Sequence, residues 1–297
     1  MRLAVFEVGF VAQHALFEHR SDDVATRLPD ACRPMRIALA VFGIPRGASQ
    51  TFAPLMKNVV AQAGKAGDVA LFGHFYDVRE IDNSRSGEHG TLGAENFLAF
   101  ADFNIRTEAP GECLAAYDLA AIRSHGDYYG DDFRSVNNLV HQLHALKMVS
   151  ERIRLHDPDV VLFVRPDLFY HDPFPAWMIA DAARHPDRCY LPHWQWWGGY
   201  NDRFAICGRK AFLHYGSRID HILDYCSRGH RPLHAERLLR ETMRAGGIRL
   251  RHLPVRASRV RLGGLVKTEN FDARATIGPR RLLPEMALSH LLTRLHL

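Results

Sequence analysis

Apolar positions in this chain fall into short runs separated by amphipathic stretches. Residues 37–42 are continuously apolar, Ile-Ala-Leu-Ala-Val-Phe, as in a strand buried on both faces. The loop Gly43-Ile44-Pro45-Arg46-Gly47-Ala48-Ser49 follows. Ser49 is placed to cap a helix reaching about residue 63, with Phe52, Leu55, Met56, Val59 and Val60 on one side. Residues 68–75 predict the next strand, so strand, loop, helix and strand form a parallel-sheet unit. Residues 77–133 are irregular and rich in Gly, Asp and Asn, and are expected to be an insertion with short helices near the active face. A long helix is predicted over 133–155, with Val136, Leu139, Val140, Leu143, Leu146, Val149 and Ile153 as its core stripe and His141, His144 and Lys147 largely off it. A strand over 159–164 stops at Arg165-Pro166-Asp167. Shorter strands are predicted at 189–193, 204–207 and 248–253, and helices at 175–184, 210–215, 219–227 and 234–245.

The alternation gives one α/β domain over residues 35–267, with a mainly parallel central sheet flanked by helices. Residues 1–34 read as an N-terminal extension, a loose arm or a mis-assigned start with Met35 as the native first residue; residues 268–297 read as a peripheral tail. Of the 297 residues, 47% are hydrophobic and 24% charged, which excludes wholesale disorder and fibrous repeats. No apolar run approaches the ~20 residues of a membrane span, which leaves only peripheral membrane association open. The five cysteines are odd in number, scattered and without a CxxC pair, so a disulfide framework is not expected and a cytoplasmic location fits.

Charge sharpens this picture. The formal net charge is +5, and ten arginines lie between Arg228 and Arg261 against two acids, Glu236 and Glu241. A local basic surface of this kind suits an anionic ligand. Nucleic acid is not the expected partner, because no zinc finger, RNA-recognition signature or basic heptad is present.

Four segments carry candidate chemistry. The loop from Gly43 to Ser49 ends a strand and opens a helix, where backbone amides and Arg46 could hold phosphate; its spacing is neither a Walker motif nor GxGxxG, and the alternative is a tight turn that needs glycine. Asp167, just past a buried strand, could hold Mn²⁺ or Mg²⁺ bridging a diphosphate, or simply cap a turn. Arg165 stands where a second Asp would complete a metal pair, and could itself neutralise phosphate. The run Trp194-Gln195-Trp196-Trp197-Gly198-Gly199-Tyr200-Asn201-Asp202-Arg203-Phe204 offers flat aromatic faces for a sugar ring, with Asn201 and Asp202 for its hydroxyls; core packing is the alternative. Glu236, in the first turn of a helix, is either a base for an acceptor hydroxyl or a helix cap. Of the basic segment, Arg256 or Arg259 is expected to contact the diphosphate. Ser86 and Ser217 lack a nucleophile elbow, so a hydrolase triad has no support.

Several ordered patterns resemble bacterial glycosyltransferase-like proteins of the GT-A type. They are Val41-Phe42-Gly43-Ile44-Pro45-Arg46, then Pro54-Leu55 and Asn58; Asp68-Val69 and His74-Phe75-Tyr76; Asn83-Ser84-Arg85-Ser86-Gly87-Glu88; Gln142-Leu143-His144; Asp159-Val160-Val161 leading to Arg165-Pro166-Asp167-Leu168; and Gly198-Gly199-Tyr200-Asn201-Asp202-Arg203-Phe204-Ala205. The resemblance spans most of residues 36–262 and implies a Rossmann-like GT-A domain and a nucleotide-diphospho-sugar donor over the carboxyl edge of the sheet. It implies a carbohydrate or glycoconjugate acceptor, with a role in polysaccharide biosynthesis. On this reading the donor is held by Gly43, Arg46, Arg85, Arg165, Asp167, Arg256 and Arg259. The acceptor is held by Trp194, Trp196, Trp197 and Asn201, and Asp202 and Glu236 are the catalytic candidates. Asp167 matches the metal-binding carboxylate of such enzymes, and Arg165 departs from their pattern. The competing readings are a nucleotide-dependent sulfotransferase, which lacks its phosphate-gripping lysine here, and a non-catalytic saccharide- or nucleotide-sugar-binding protein.

Overall fold

The computed structural model describes residues 33–83 and 87–272. Its strands are β1 (Arg36–Gly43), β2 (Asp68–Tyr76), β3 (Glu80–Asn83), β4 (Glu88–Thr91), β5 (Asn104–Glu108), β6 (Val160–Val164), β7 (Leu168–Tyr170), β8 (Arg188–Pro192), β9 (Ala205–Gly208), β10 (Arg249–Leu253) and β11 (Ala257–Arg259). The helices are α1 (Ala48–Leu55), α2 (Ala61–Gly64), α3 (Glu95–Leu98), α4 (Pro110–Ala115), α5 (Leu119–Arg123), α6 (Arg134–Arg154), α7 (Ala176–Arg184), α8 (Ala211–Gly216), α9 (Ile222–Gly229) and α10 (Ala235–Ala245).

Seven strands form the central sheet, in the order β10-β8-β9-β6-β1-β2-β5. Only β9 runs against its neighbours in it, so the carboxyl ends of six strands share one edge. The expected α/β class with a mainly parallel sheet is what the chain forms. Alternation along β1 accounts for the two layers. Ile37, Leu39 and Val41 pack with Leu55, Val59, Met178 and Ile179. Ala38, Ala40 and Phe42 pack with Val140, Leu143, Leu146 and Val149 of α6.

Three local expectations need correction. Residues 77–133 contribute more than short helices: β5 joins the main sheet beside β2, and β3 pairs with β4 as a hairpin. The β5 sequence Asn-Ile-Arg-Thr-Glu has one apolar residue, and a polar edge strand carries no hydrophobic signal. Ser49 does not cap the first helix; its hydroxyl turns to Gln50 Oε1. The Ala48 amide is met instead by Asn96 Oδ1 of α3 at 2.9 Å, and the cap position is Gly47 at φ 65°. Between α1 and α2 the helix widens into a π turn over Met56–Val60, just past Pro54, whose nitrogen has no hydrogen to donate. Asn58 in that turn holds the chain after β7: its side-chain amide donates to the Tyr170 carbonyl (2.7 Å), and its backbone carbonyl accepts from the Phe174 amide (2.7 Å).

Candidate active site at the carboxyl edge of the sheet

The loop after β1 presents Arg46, and the turn after β6 presents Arg165 and Asp167. Strand β4 opens with Glu88. Strand β11 lies antiparallel on β7, and the Val260 amide donates to the Asp167 carbonyl at 2.8 Å, which lays Arg259 and Arg261 alongside.

These side chains form one network. Arg46 donates through Nη1 to both Glu88 oxygens (3.1 and 3.0 Å) and through Nη2 to Asp167 Oδ2 (2.8 Å). Arg165 forks onto Asp167 through Nε (2.9 Å) and Nη2 (2.8 Å), and its Nη1 donates to Gln142 Oε1 at 2.7 Å. Gln142 passes the link to Asp202 Oδ2 at 2.9 Å, and Arg218 stands 3.4 Å from the same oxygen. Arg261 donates to Glu88 Oε2 (2.7 Å) and the Leu262 amide to Oε1 (2.9 Å). Beside them, Arg259 donates to Glu269 Oε1 (2.7 Å), Arg203 lies 3.6 Å from it, and Gln195 donates to Glu269 Oε2 at 2.9 Å.

Six guanidiniums thus face four carboxylates. The carboxylates Glu88, Asp167 and Glu269 have side chains 2–4% exposed, whereas Arg46, Arg165, Arg203, Arg259 and Arg261 keep 12–30%; Arg218 is the exception, fully buried against a 10% exposed Asp202. The rim is therefore positive. Burial alone would raise the Asp167 carboxyl, but Arg165 and Arg46 hold it well below the usual carboxylate range. The same balance brings Glu269 to about 2, through the Arg259 hydrogen bond and Arg203. Burial, with Arg259 adding repulsion, lowers Arg203 to about 10. Arg261 is also lowered, by burial and by Arg259 and Arg46, against the pull of Glu88. The arginines repel one another even with their carboxylates in place.

This arrangement does not suit a divalent cation at Asp167. Both carboxylate oxygens already accept guanidinium N–H groups, and the adjacent carboxylate, Glu88, is bound by Arg46 and Arg261. A cation there would face a set of charges of its own sign. The expected Mn²⁺ or Mg²⁺ at this position therefore finds no fitting donor set.

The other candidates divide. Gly43 is the last residue of β1. Arg259 enters the network, whereas the bonds of Arg256 go to Asp172, by Nε and Nη2 at 2.9 and 2.8 Å. Arg85 lies outside the described residues. Trp194 belongs to the core: it is fully buried, its indole N–H donates to the Val255 carbonyl (2.9 Å), and Arg203 covers its ring at 4.9 Å. Its face has no room for a sugar. Asn201 is buried too, donating to the Trp194 carbonyl (2.8 Å) and accepting from the Arg203 amide (3.1 Å); it shapes the loop. Trp196 stacks on His252, rings 5.5 Å apart and 7° from parallel. Trp197 stands out into solvent, half exposed. Positive φ at Gln195 and Trp197 makes this segment a series of turns rather than a strand.

Glu236, in the first turn of α10, lies 3.3 Å from His234 Nδ1. Its backbone carbonyl accepts from the Tyr200 amide at 2.9 Å, and a Cβ on Gly199 would sit 1.9 Å from that oxygen. The Gly198-Gly199 pair is what lets the tryptophan loop lie against α10. His234 was indistinguishable among eighteen histidines. It is buried against Tyr128 (ring centroids 4.5 Å apart) and Tyr129 (6.2 Å), and burial with Arg237 nearby brings it to about 4, so it is neutral at physiological pH.

Several members escaped sequence reasoning. Glu88, Gln142 and Arg203 were visible only within motifs, and Arg218 and Arg261 gave no signal apart from other arginines. Glu269, in the segment expected to be peripheral, has a buried side chain that ties Arg203, Arg259 and Gln195 together.

No family model matches the chain, and no curated protein sequence matches it. Among solved structures it is similar to mouse xyloside xylosyltransferase 1 in its apo form, with 11% identity, a TM-score of 0.39 and coverage of 73% of this chain and 84% of that one. It is similar also to the galactosyltransferase LgtC. The form with donor and acceptor sugar analogues gives 16% identity, a TM-score of 0.37 and coverage of 72% and 73%. An active-site mutant of LgtC gives 16%, 0.38, and 72% of each chain.

Proposed function

We propose that this protein is a glycosyltransferase that binds a nucleotide-diphospho-sugar over the carboxyl edge of its sheet, and that arginines, not a divalent cation, face the diphosphate. The observation that carries this reading is the excess of guanidiniums over carboxylates, with all of the arginines but Arg218 more exposed than the carboxylates they hold. Ligands of open α/β sheets bind at this edge. An entering diphosphate relieves the mutual repulsion of Arg259, Arg261 and Arg203. As the bond from sugar to phosphate breaks, the same preorganised positive charges stabilise the leaving nucleoside diphosphate. Asp202, bound up between Gln142 and Arg218, acts here as a positioning residue. Glu236 is the group we assign to accept the proton of the acceptor hydroxyl, with Trp197 on the acceptor side.

Thermal shift with UDP, GDP, CDP and adenosine 3′,5′-bisphosphate, each in EDTA and in Mn²⁺, tests the proposal. A nucleoside diphosphate should raise the melting temperature equally in both media. Stabilisation by the bisphosphate alone points to sulfotransfer instead. A response that requires Mn²⁺ sinks the arginine-only site. Donor binding with no transfer to saccharide acceptors and no donor hydrolysis makes the protein a binding module.

A further inference from the structure

A second cluster lies apart from the arginine network, where β2, β5 and α6 meet. His74 is near the end of β2, Glu108 is the last residue of β5, and the two strands pair in parallel with Tyr76 opposite Glu108. His144 comes down from α6. One ligand atom from each of the three lies within 4.8 Å of the others. His74 Nε2 is 3.3 Å from Glu108 Oε2, and His144 Nε2 is 2.9 Å from Glu108 Oε1.

The three groups meet one another with little else around them. The His74 side chain is 6% exposed, its Nδ1 has no hydrogen-bond partner, and its Nε2 meets Glu108 only at the long distance of 3.3 Å. Buried polar atoms are normally satisfied, so this set asks for an explanation. His144 is already oriented: its Nδ1 is 2.8 Å from the Tyr117 hydroxyl. With Nδ1 carrying the proton and donating to that oxygen, Nε2 turns a lone pair toward Glu108, as second-shell partners do for metal-bound histidines. A tetrahedral ion bound at about 2.0–2.1 Å holds its ligand atoms roughly 3.3 Å apart; His74 Nε2 is at that distance from Glu108 Oε2, His144 faces the other oxygen of the same carboxylate, and a small rotation of the carboxylate brings one oxygen to both imidazoles. His141, one turn earlier on α6, is committed to the Pro110 carbonyl at 2.9 Å.

We propose that His74, Glu108 and His144 bind one divalent transition-metal ion of the zinc class, joining edge strand β5 to β2 and α6. Two imidazoles and one carboxylate suit zinc rather than magnesium or calcium, and they leave a fourth position for water. The site does not depend on the glycosyltransferase reading. Its role is structural: β5 has little apolar surface of its own, and the ion fixes its end.

The test uses the untagged full chain, stripped with EDTA, dialysed and titrated with Co²⁺. One equivalent should give the strong visible bands of a tetrahedral site, and Zn²⁺ should displace it and raise the melting temperature. Glu108→Gln and His144→Gln should each abolish the bands, Tyr117→Phe should weaken Co²⁺ binding by about tenfold, and the exposed His89→Gln should change nothing. Zinc X-ray absorption on the wild-type protein, which needs no variant to fold, should count two imidazole ligands. A pale octahedral spectrum from wild type, bands that survive both Glu108→Gln and His144→Gln, or fewer than two imidazoles at zinc would overturn the proposal.

Discussion

Asp167 and Glu269 show what each carboxylate does at the residue level. Each is buried, which disfavours its charge, and each is charged because arginines outweigh the burial. For Glu269 the consequence has a pH window. Its folded value is about 2, against about 4.3 for an unfolded glutamate. Its contribution to stability is therefore complete above about pH 4.3 and is lost as pH falls toward 2. Compared with Glu269→Gln, the wild-type protein should melt higher by a constant margin from pH 5 to 7, and the margin should close below pH 4. A margin that does not change between pH 6 and 3 would mean that Arg259 and Arg203 do not hold this carboxylate. The residue scale is also where sequence reading was weakest. Arg46, Arg165, Asp167 and Arg259 could be picked out because they follow strand ends or stand in a basic run. Their partners could not, since Arg261 and Glu88 are separated by 173 positions and pairing at that distance leaves no local trace.

At the level of elements, legibility followed apolar content. Strands β1, β2 and β6 and helix α6 have continuous or 3.6-periodic apolar positions, and their predicted bounds differ from the observed ones by a residue or so. Strands β3, β4, β5, β7 and β11 are short or polar and were missed, although β11 carries Arg259 and the segment after it Arg261. The start of α1 shows how such elements are fastened together. Gly47 has φ 65°, and a Cβ there would lie 2.4 Å from Val260 Cγ1. Gly47→Ala therefore meets both backbone strain and the segment that follows β11, and should cost about 1–3 kcal/mol by urea denaturation. Because Arg46 precedes Gly47 and Arg261 follows Val260, the same change should also weaken nucleotide binding. Loss of stability with unaltered nucleotide affinity would separate this contact from the site.

For the molecule as a whole, sheet direction and charge placement act together. Six strands deliver their carboxyl ends to one edge, and part of the arginine excess of the C-terminal segment arrives at that edge through Arg259 and Arg261. The rest of that excess goes elsewhere: Arg249 pairs with Asp187, Arg228 with Asp224, and Arg256 with Asp172. Such exposed pairs contribute little, about 0–1 kcal/mol each. This division makes the two candidate phosphate ligands unequal. Both are forked onto a carboxylate, Arg259 onto Glu269 and Arg256 onto Asp172, but Arg259 stands in the network beside a repelling Arg203 and Arg261, whereas the bonds of Arg256 go to Asp172 outside it. A charge-assisted phosphate contact is worth about 1.5–3 kcal/mol, so Arg259→Gln should weaken donor binding by roughly ten- to a hundredfold. Arg256→Gln should leave it within about twofold, as expected of an exposed pair. Calorimetric titration at two salt concentrations separates a contact from a diffuse field, because long-range attraction is screened within about 10 Å at 0.1 M salt. The Arg259 deficit should persist at the higher salt. Equal deficits for the two variants that vanish together as salt rises would show that the arginine network attracts the donor without gripping its diphosphate.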